Sequence, residues 1–259
     1  MKRYLSGVAL GLMMSLAVFA QEQPAQAPAN GPKPKSQKEL QALQKVQAAT
    51  TPTDRMAAID GVLENFTDTD YKHILLDMAI QSAQQARDPA KVEFYAERAL
   101  KDDPKDATAQ LAIASATVEN TKEFDLDRDK KLAKVEKNAN AAIESLKTEA
   151  SPNPQLPADQ WEQMKKAMTA EAYADLGQAA LLQKKYDLAI QHYKTAAEQD
   201  PEPAILIRLA SAYNQAKQPD NASATCDRIL AAPNLTPQIK QLATQVKADA
   251  QKLKAAGAK

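Results

Sequence analysis

The chain has few of the residues from which catalytic and metal sites are usually built. It contains one cysteine, Cys226, and two histidines, His73 and His192, which lie far apart without a second histidine at helical spacing. One cysteine excludes an internal disulfide, and two separated histidines disfavour a zinc site. The six glycines form no nucleotide-binding loop and flank no serine as a nucleophile elbow would require. The sequence therefore indicates no catalytic residue, no metal ligand and no cofactor.

These three residues are expected to have structural or surface roles. Cys226 stands at an inward-facing position of a repeat described below, so we expect a buried packing side chain. His192 precedes Tyr193, which has a buried position in that repeat, so the histidine should point outward. We expect His73 on the surface as well.

Aromatic residues and net charge are also low. Aromatics make up 5% of the 259 residues, and alanine supplies much of the 44% hydrophobic content. This composition suits a shallow helical core with small side chains at helix crossings, whereas a β-sandwich or barrel would need more β-branched and aromatic residues. Lys and Arg number 33 and Asp and Glu number 33, so the positive excess of a nucleic-acid-binding protein is missing.

The N-terminus has the order of a secretory signal peptide over residues 1–20. Lys2 and Arg3 precede an apolar run over residues 4–19, and Ala20 supplies a small residue for cleavage. We expect a periplasmic or secreted protein without stable membrane insertion after cleavage; an uncleaved membrane anchor is the alternative. Residues 21–35 are rich in Pro, Ala and Gln and should form a disordered tether.

Helix-start signals divide the rest of the chain. Ser36 with Glu39 forms a capping box, and Thr51-Pro52 is a cap followed by proline at the first helical position. We predict diverged helix pairs over residues 36–149 and a proline-rich break over 150–157. A long helix and two repeats follow over 158–233, and residues 234–259 form a capping helix and tail.

Residues 176–193 recur in kind 33 positions later. The offset places Leu176 on Leu209, Gly177 on Ala210, Ala180 on Tyr213, Ala189 on Ala222 and Tyr193 on Cys226. A fixed period of this size is typical of stacked helical repeats.

These residues resemble the tetratricopeptide repeat family. The pattern is carried by Tyr173, Leu176, Gly177, Ala189, Tyr193, Ala196 and Pro201, and again by Leu209, Ala210, Tyr213 and Ala222. The resemblance implies an all-α, right-handed superhelical solenoid of antiparallel helix pairs. It also implies a scaffold that binds a protein or peptide partner and has no catalytic activity, similar to exported bacterial proteins of this family.

The family commonly binds ligands in the groove lined by the first helix of each repeat. Carried over to this chain, the resemblance places Glu171, Ala174, Gln178, Leu181, Ala204, Ile207, Arg208, Ser211 and Asn214 there. Ala174 and Gln178 stand where a clamp for a peptide carboxylate needs Lys and Asn, which disfavours that ligand. We predict an apolar or helical segment along Leu181, Ile207 and Asn214. Alternatively, these residues contact neighbouring helices.

One acidic pattern is compatible with a calcium loop. Asp125, Asp127 and Asp129 alternate, and Glu136 follows, but Lys130 occupies the position that needs glycine. A helix over 130–147 with the aspartates capping its start is favoured.

The favoured function is a scaffold, and the alternative is a component of outer-membrane assembly or transport machinery. A metal-dependent enzyme within residues 105–160 is the least favoured hypothesis.

Overall fold

The computed structural model describes residues 32–151 and 155–257, and helices account for most of them. The predicted signal peptide, most of the tether and residues 152–154 of the proline-rich break lie outside this part. No strand is assigned within it, and the helices all belong to the unit Pro34–Lys259. They are α1 (Gln37–Ala48), α2 (Pro52–Asn65), α3 (Lys72–Gln85), α4 (Pro89–Asp102), α5 (Ala107–Glu119), α6 (Arg128–Leu146), α7 (Ala158–Leu182), α8 (Tyr186–Gln199), α9 (Pro203–Gln215), α10 (Pro219–Leu230) and α11 (Pro237–Gly257).

Side-chain caps explain where several helices begin. The Ser36 and Thr51 hydroxyls each accept a hydrogen bond at 3.1 Å from the backbone N–H three residues later, as the sequence predicts. Asp88 and Asp106 cap α4 and α5 in the same way. Such caps satisfy backbone donors that the first helical turn leaves without partners, and each contributes about 1 kcal/mol.

The helices pack in consecutive pairs, α1 with α2 through α9 with α10, and each pair packs on the next. Alanines that are fully buried, among them Ala79, Ala96, Ala142, Ala189 and Ala210, lie in the layers between helices. Larger buried side chains such as Tyr95 and Tyr193 fill the space that these small residues leave. The low aromatic content is thus consistent with close helix packing.

Three turns within helix pairs share one backbone conformation. Arg87, Lys184 and Lys217 have φ of 55°, 61° and 57° and lie between the helices of the α3–α4, α7–α8 and α9–α10 pairs. The residue after each donates its N–H to a carbonyl five residues earlier, which closes the preceding helix. Lys184 and Lys217 are 33 positions apart, so the sequence period is also a backbone period. The α3–α4 pair shares this repeat turn despite its divergent sequence.

The last helix covers one end of the array. α11 packs on both α9 and α10 and buries Ala243 and Ala250. Among the helices of the described ranges, none combines the length with the apolar composition required to cross a bilayer.

Candidate functional site

Several odd-numbered helices contact one another directly. α3 contacts α5, α5 contacts α7, and α9 contacts α11, whereas the even-numbered helices pack against odd-numbered neighbours. We use the name inner face for the surface of α5, α7 and α9 that carries Ser115, Glu119, Glu171, Asp175, Glu202 and Arg208.

One hydroxyl joins two carboxylates across this face. Ser115 Oγ donates to Asp175 Oδ2 at 2.6 Å and lies 3.2 Å from Glu171 Oε1. A hydroxyl carries a single hydrogen, so it can donate to only one of the two acids at a time. Burial, followed by the nearby Glu171 carboxylate, raises the pKa of Asp175 well above its usual range. Partial desolvation also raises the pKa of Glu171, although its side chain remains accessible to solvent.

Two further acids and one base complete the inner face. Desolvation raises the pKa of Glu119 on α5 and of Glu202 at the start of α9. The positive charge of Arg208 acts in the opposite direction on Glu119, Glu171 and Asp175. With four acids against one arginine, the inner face has more acidic than basic side chains, and burial favours the uncharged form of Asp175.

The residues predicted for the groove are divided between this face and the helix packing. Glu171 and Arg208 lie on the inner face, and Gln178 accepts a hydrogen bond from Tyr193 Oη at 3.3 Å. By contrast, Ile207 is 9% exposed and belongs to the core of α7–α11, against which Leu181 also packs. These placements correct the predicted apolar path, because helix packing uses most of it.

Asn214 and Ser211 complete the predicted set. Asn214 Nδ2 donates to the Val246 carbonyl of α11 at 3.0 Å, so Asn214 contacts a neighbouring helix. Ser211 is half-buried. Ala174 is buried and Ala204 half-buried, so neither offers a polar group to a ligand.

A second polar cluster lies where α3 meets the start of α5. His73 Nε2 is 3.5 Å from Asp77 Oδ2, and His73 Nδ1 is 3.7 Å from Asp106 Oδ2. Burial raises the pKa of Asp77 to about 7, and it also raises the pKa of Asp106. Burial and the neighbouring Asp106 raise the pKa of Glu149 to about 7. His73 is exposed, as expected from the sequence, but its acidic neighbours were not predicted.

Comparison with known proteins identifies the family of one segment. Residues 180–246 match the family model described as tetratricopeptide repeat. The family match covers residues 180–246, which include α8, α9 and α10. No curated protein matches it significantly in sequence.

One solved tetratricopeptide repeat structure agrees in fold, and two others are less similar. A thermophilic tetratricopeptide repeat protein from Thermus thermophilus superposes with a TM-score of 0.55 at 13% identity, over 81% of this chain and 97% of that one. A tetratricopeptide repeat protein from Parabacteroides merdae has 12% identity and a TM-score of 0.43, with 85% and 93% covered. A yeast Sti1 domain, solved in complex with an Hsp90 peptide, has 13% identity and a TM-score of 0.31, with 83% and 97% covered.

The residues predicted to define the tetratricopeptide repeat lie mainly in its interior. Gly177 faces the ring of Tyr193, and Tyr173 and Tyr213 pack half-buried against the same core. Pro201 is exposed between α8 and α9. The buried members are Leu176, Gly177, Ala189, Tyr193, Ala196, Leu209, Ala210 and Ala222.

The predicted burial is confirmed for Cys226, whereas His192 is less exposed than predicted. Cys226 is fully buried, as predicted, and burial raises the pKa of its thiol to about 11. His192 is half-buried rather than fully exposed, and its ring stacks on Tyr173 with centroids 6.2 Å apart. Burial also lowers the pKa of His192.

In the predicted calcium pattern, a lysine lies between two of the carboxylates. Lys131 Nζ pairs with Asp125 at 2.9 Å and with Asp127 at 3.0 Å, and Glu136 accepts a hydrogen bond from Gln183 instead. Asp127 is the N-cap residue of α6, but its side chain makes no capping hydrogen bond. A lysine between the carboxylates opposes a divalent cation at this position. The structure agrees with the predicted helix but not with side-chain capping of its start by Asp127.

Proposed function

We propose that this protein is an exported scaffold that binds a protein partner in the cell envelope and performs no catalysis. The repeat fold supports partner binding, and the order of charge, apolar run and small residue over residues 1–20 supports export. Residues 21–35 would then act as a tether in front of the array.

The acidic inner face is the observation that carries the binding proposal. Glu119 and Glu171 are exposed, and Glu202 is half-buried, so a partner can reach these carboxylates. Arg208 is the one base among the residues that define the face, and it leaves most of the acidic charge unbalanced. A complementary partner segment carries lysine or arginine, and charge complementarity of this kind contributes specificity and rapid association.

Charge reversal on the inner face tests this proposal. The double variant Glu119→Lys/Glu171→Lys is compared with the wild type in affinity capture from envelope extracts of the source organism. The matched control is Glu64→Lys/Glu198→Lys, which changes net charge equally at exposed positions on the even-numbered helices α2 and α8.

We expect the wild type and the control to retain the same partners, and the inner-face variant to retain about tenfold less. Capture by the wild type should also decrease with rising salt concentration. Equal capture by all three proteins, or no specific partner under several growth conditions, would contradict the proposal. Circular dichroism confirms that the variants are folded.

Export is tested separately by fusing residues 1–35 to a reporter enzyme that is active only outside the bacterial cytoplasm. We expect reporter activity and cleavage after Ala20, read by N-terminal sequencing of the product. A fusion that stays inactive contradicts export, and an active but uncleaved fusion supports the membrane-anchor alternative.

A further inference from the structure

The cluster at α3 and α5 combines three side chains of metal-binding type on two fixed helices. His73 and Asp77 are four residues apart, so they share one face of α3, and Asp106 is the N-cap of α5. One nitrogen of His73 and one oxygen from each aspartate lie within 4.8 Å of one another. We infer that His73, Asp77 and Asp106 form a binding site for one divalent transition-metal ion of the Zn²⁺ type.

Each carboxylate lies near one ring nitrogen of His73 at about the separation of two ligands on one metal ion. Bonds of about 2.0–2.2 Å at tetrahedral angles place neighbouring ligand atoms roughly 3.3–3.6 Å apart. The observed separations are 3.5 Å from His73 Nε2 to Asp77 Oδ2 and 3.7 Å from His73 Nδ1 to Asp106 Oδ2, so they start from different ring nitrogens. His73 is exposed, so its ring can rotate to direct one nitrogen towards both carboxylates.

The carboxylates have acceptor atoms that nothing in the protein satisfies. Asp77 Oδ1 and Asp106 Oδ2 are buried without a hydrogen-bond partner, and Asp106 as a whole is 3% exposed. Among residues 32–151 and 155–257, His73 is the ion-pair partner of both acids, and no lysine or arginine nitrogen lies within 4.0 Å of either. Buried polar atoms are normally paired, so these two oxygens are acceptors that a cation could use.

The other carboxylate oxygen of Asp106 holds this side chain in position. Asp106 Oδ1 accepts a hydrogen bond from the Ala109 N–H at 2.9 Å, which fixes the carboxylate and directs Oδ2 towards His73. Glu149 adds a further buried oxygen without a partner, Oε2, and a negative charge close to Asp106. Three protein ligands leave a coordination position for water or for a donor from a partner.

The imidazole favours a transition metal over calcium or magnesium. Ca²⁺ and Mg²⁺ take oxygen ligands, whereas a histidine nitrogen with two carboxylates is typical of Zn²⁺ and its neighbours. The Asp125 to Glu136 segment differs, because Lys131 there occupies the space between the acids. The site thus depends on residues that are 33 positions apart in sequence and become neighbours only when α3 packs near α5.

The test is a Zn²⁺ titration of the chelator-treated full chain by calorimetry and thermal melting. We expect one ion per chain, and a melting temperature about 5–10 °C higher at a hundredfold excess over Kd. His73→Ala and Asp77→Asn should weaken binding at least about 100-fold, since changes even behind metal ligands cost 10- to 100-fold. His192→Ala is the matched control, because it removes the other histidine and should leave binding unchanged.

Asp106→Asn provides a further arm, because its amide oxygen can still cap α5 while the negative charge is lost. Failure of this variant to fold would leave the two α3 variants as the test. Absence of saturable Zn²⁺ binding in the wild type would overturn the proposal. Equal binding by His73→Ala, or binding of Ca²⁺ and Mg²⁺ but not Zn²⁺, would overturn it as well.

Discussion

Gly177→Ala tests the helix crossing on which the repeat depends. Gly177 lies in α7, and a Cβ built on it would be 2.9 Å from two ring carbons of Tyr193 on α8. Tyr193 is fully buried, so its ring cannot move aside into solvent. We expect the substitution to destabilise the protein even though alanine is the better helix former.

The magnitude follows from two opposing contributions. Alanine in place of glycine within a helix gains about 1 kcal/mol, while overpacking a dense core costs about 1–3 kcal/mol. Gly61 in α2 allows the helix-propensity gain to be measured without the packing cost, because a Cβ there meets nothing within 4 Å. Gly61→Ala should therefore stabilise by about 1 kcal/mol, and Gly177→Ala should be lower than Gly61→Ala by the packing cost of about 1–3 kcal/mol.

Urea unfolding of both variants, monitored by circular dichroism, measures this difference. Tyr193→Leu removes the ring, so Gly177→Ala should cost less in that background, with a coupling energy of about 1–3 kcal/mol. If Gly177→Ala stabilises as much as Gly61→Ala, the packing argument is refuted. An equal cost of Gly177→Ala with and without the Tyr193 ring would refute the assignment of the clash to Tyr193.

Three further predictions follow from the turns, the thiol and the acids. Lys184→Gly and Lys217→Gly should each raise the free energy of unfolding by about 0.5–1 kcal/mol, because glycine adopts positive φ without strain; a decrease in urea midpoint would contradict this. Cys226 should resist iodoacetamide at pH 8 until the chain is denatured, because burial raises its pKa to about 11; native labelling seen by mass spectrometry would contradict this. With metal chelated, lowering the pH from 8 towards 5.5 should stabilise the fold by at least about 1 kcal/mol. Burial raises the pKa of Asp77 and Glu149 to about 7, so the folded state holds these protons more tightly and loses that stability as pH rises through 7. Urea unfolding at each pH measures this, and a slope unchanged by Asp77→Asn and Glu149→Gln would refute the assignment.

Much of the fold could be predicted because its signals are local. Ser36 and Thr51 cap helices through contacts three residues away, and the spacing of small residues records the helix crossings. The positive-φ turn at Arg87 was not predictable in this way, since arginine is an unusual residue for that conformation. It is the register of the helix pairs, rather than a local preference, that places Arg87 there.

The candidate sites could be predicted only in part because they join distant segments. Glu171 and Asp175 are four residues apart on α7, which was visible in the sequence, but their common donor Ser115 comes from α5. Likewise, Asp106 was predictable as a helix cap but not as a neighbour of His73. Contacts between successive odd-numbered helices produce both clusters, and a sequence period alone does not specify which side chains meet across them.

The acidic residues described here have different partners on the even-numbered and on the odd-numbered helices. Between the even-numbered helices α4 and α6, Lys134 Nζ pairs with Glu93 at 2.7 Å and with Glu97 at 3.3 Å. On the odd-numbered helices, Asp175 shares one hydroxyl with Glu171, and Asp77 shares one histidine with Asp106. A buried carboxylate lowers stability unless it is protonated or a cation pairs with it, and neither cluster contains a lysine. The contrast favours an external source of positive charge for both clusters, which is a basic segment of a partner at the inner face and a metal ion at His73.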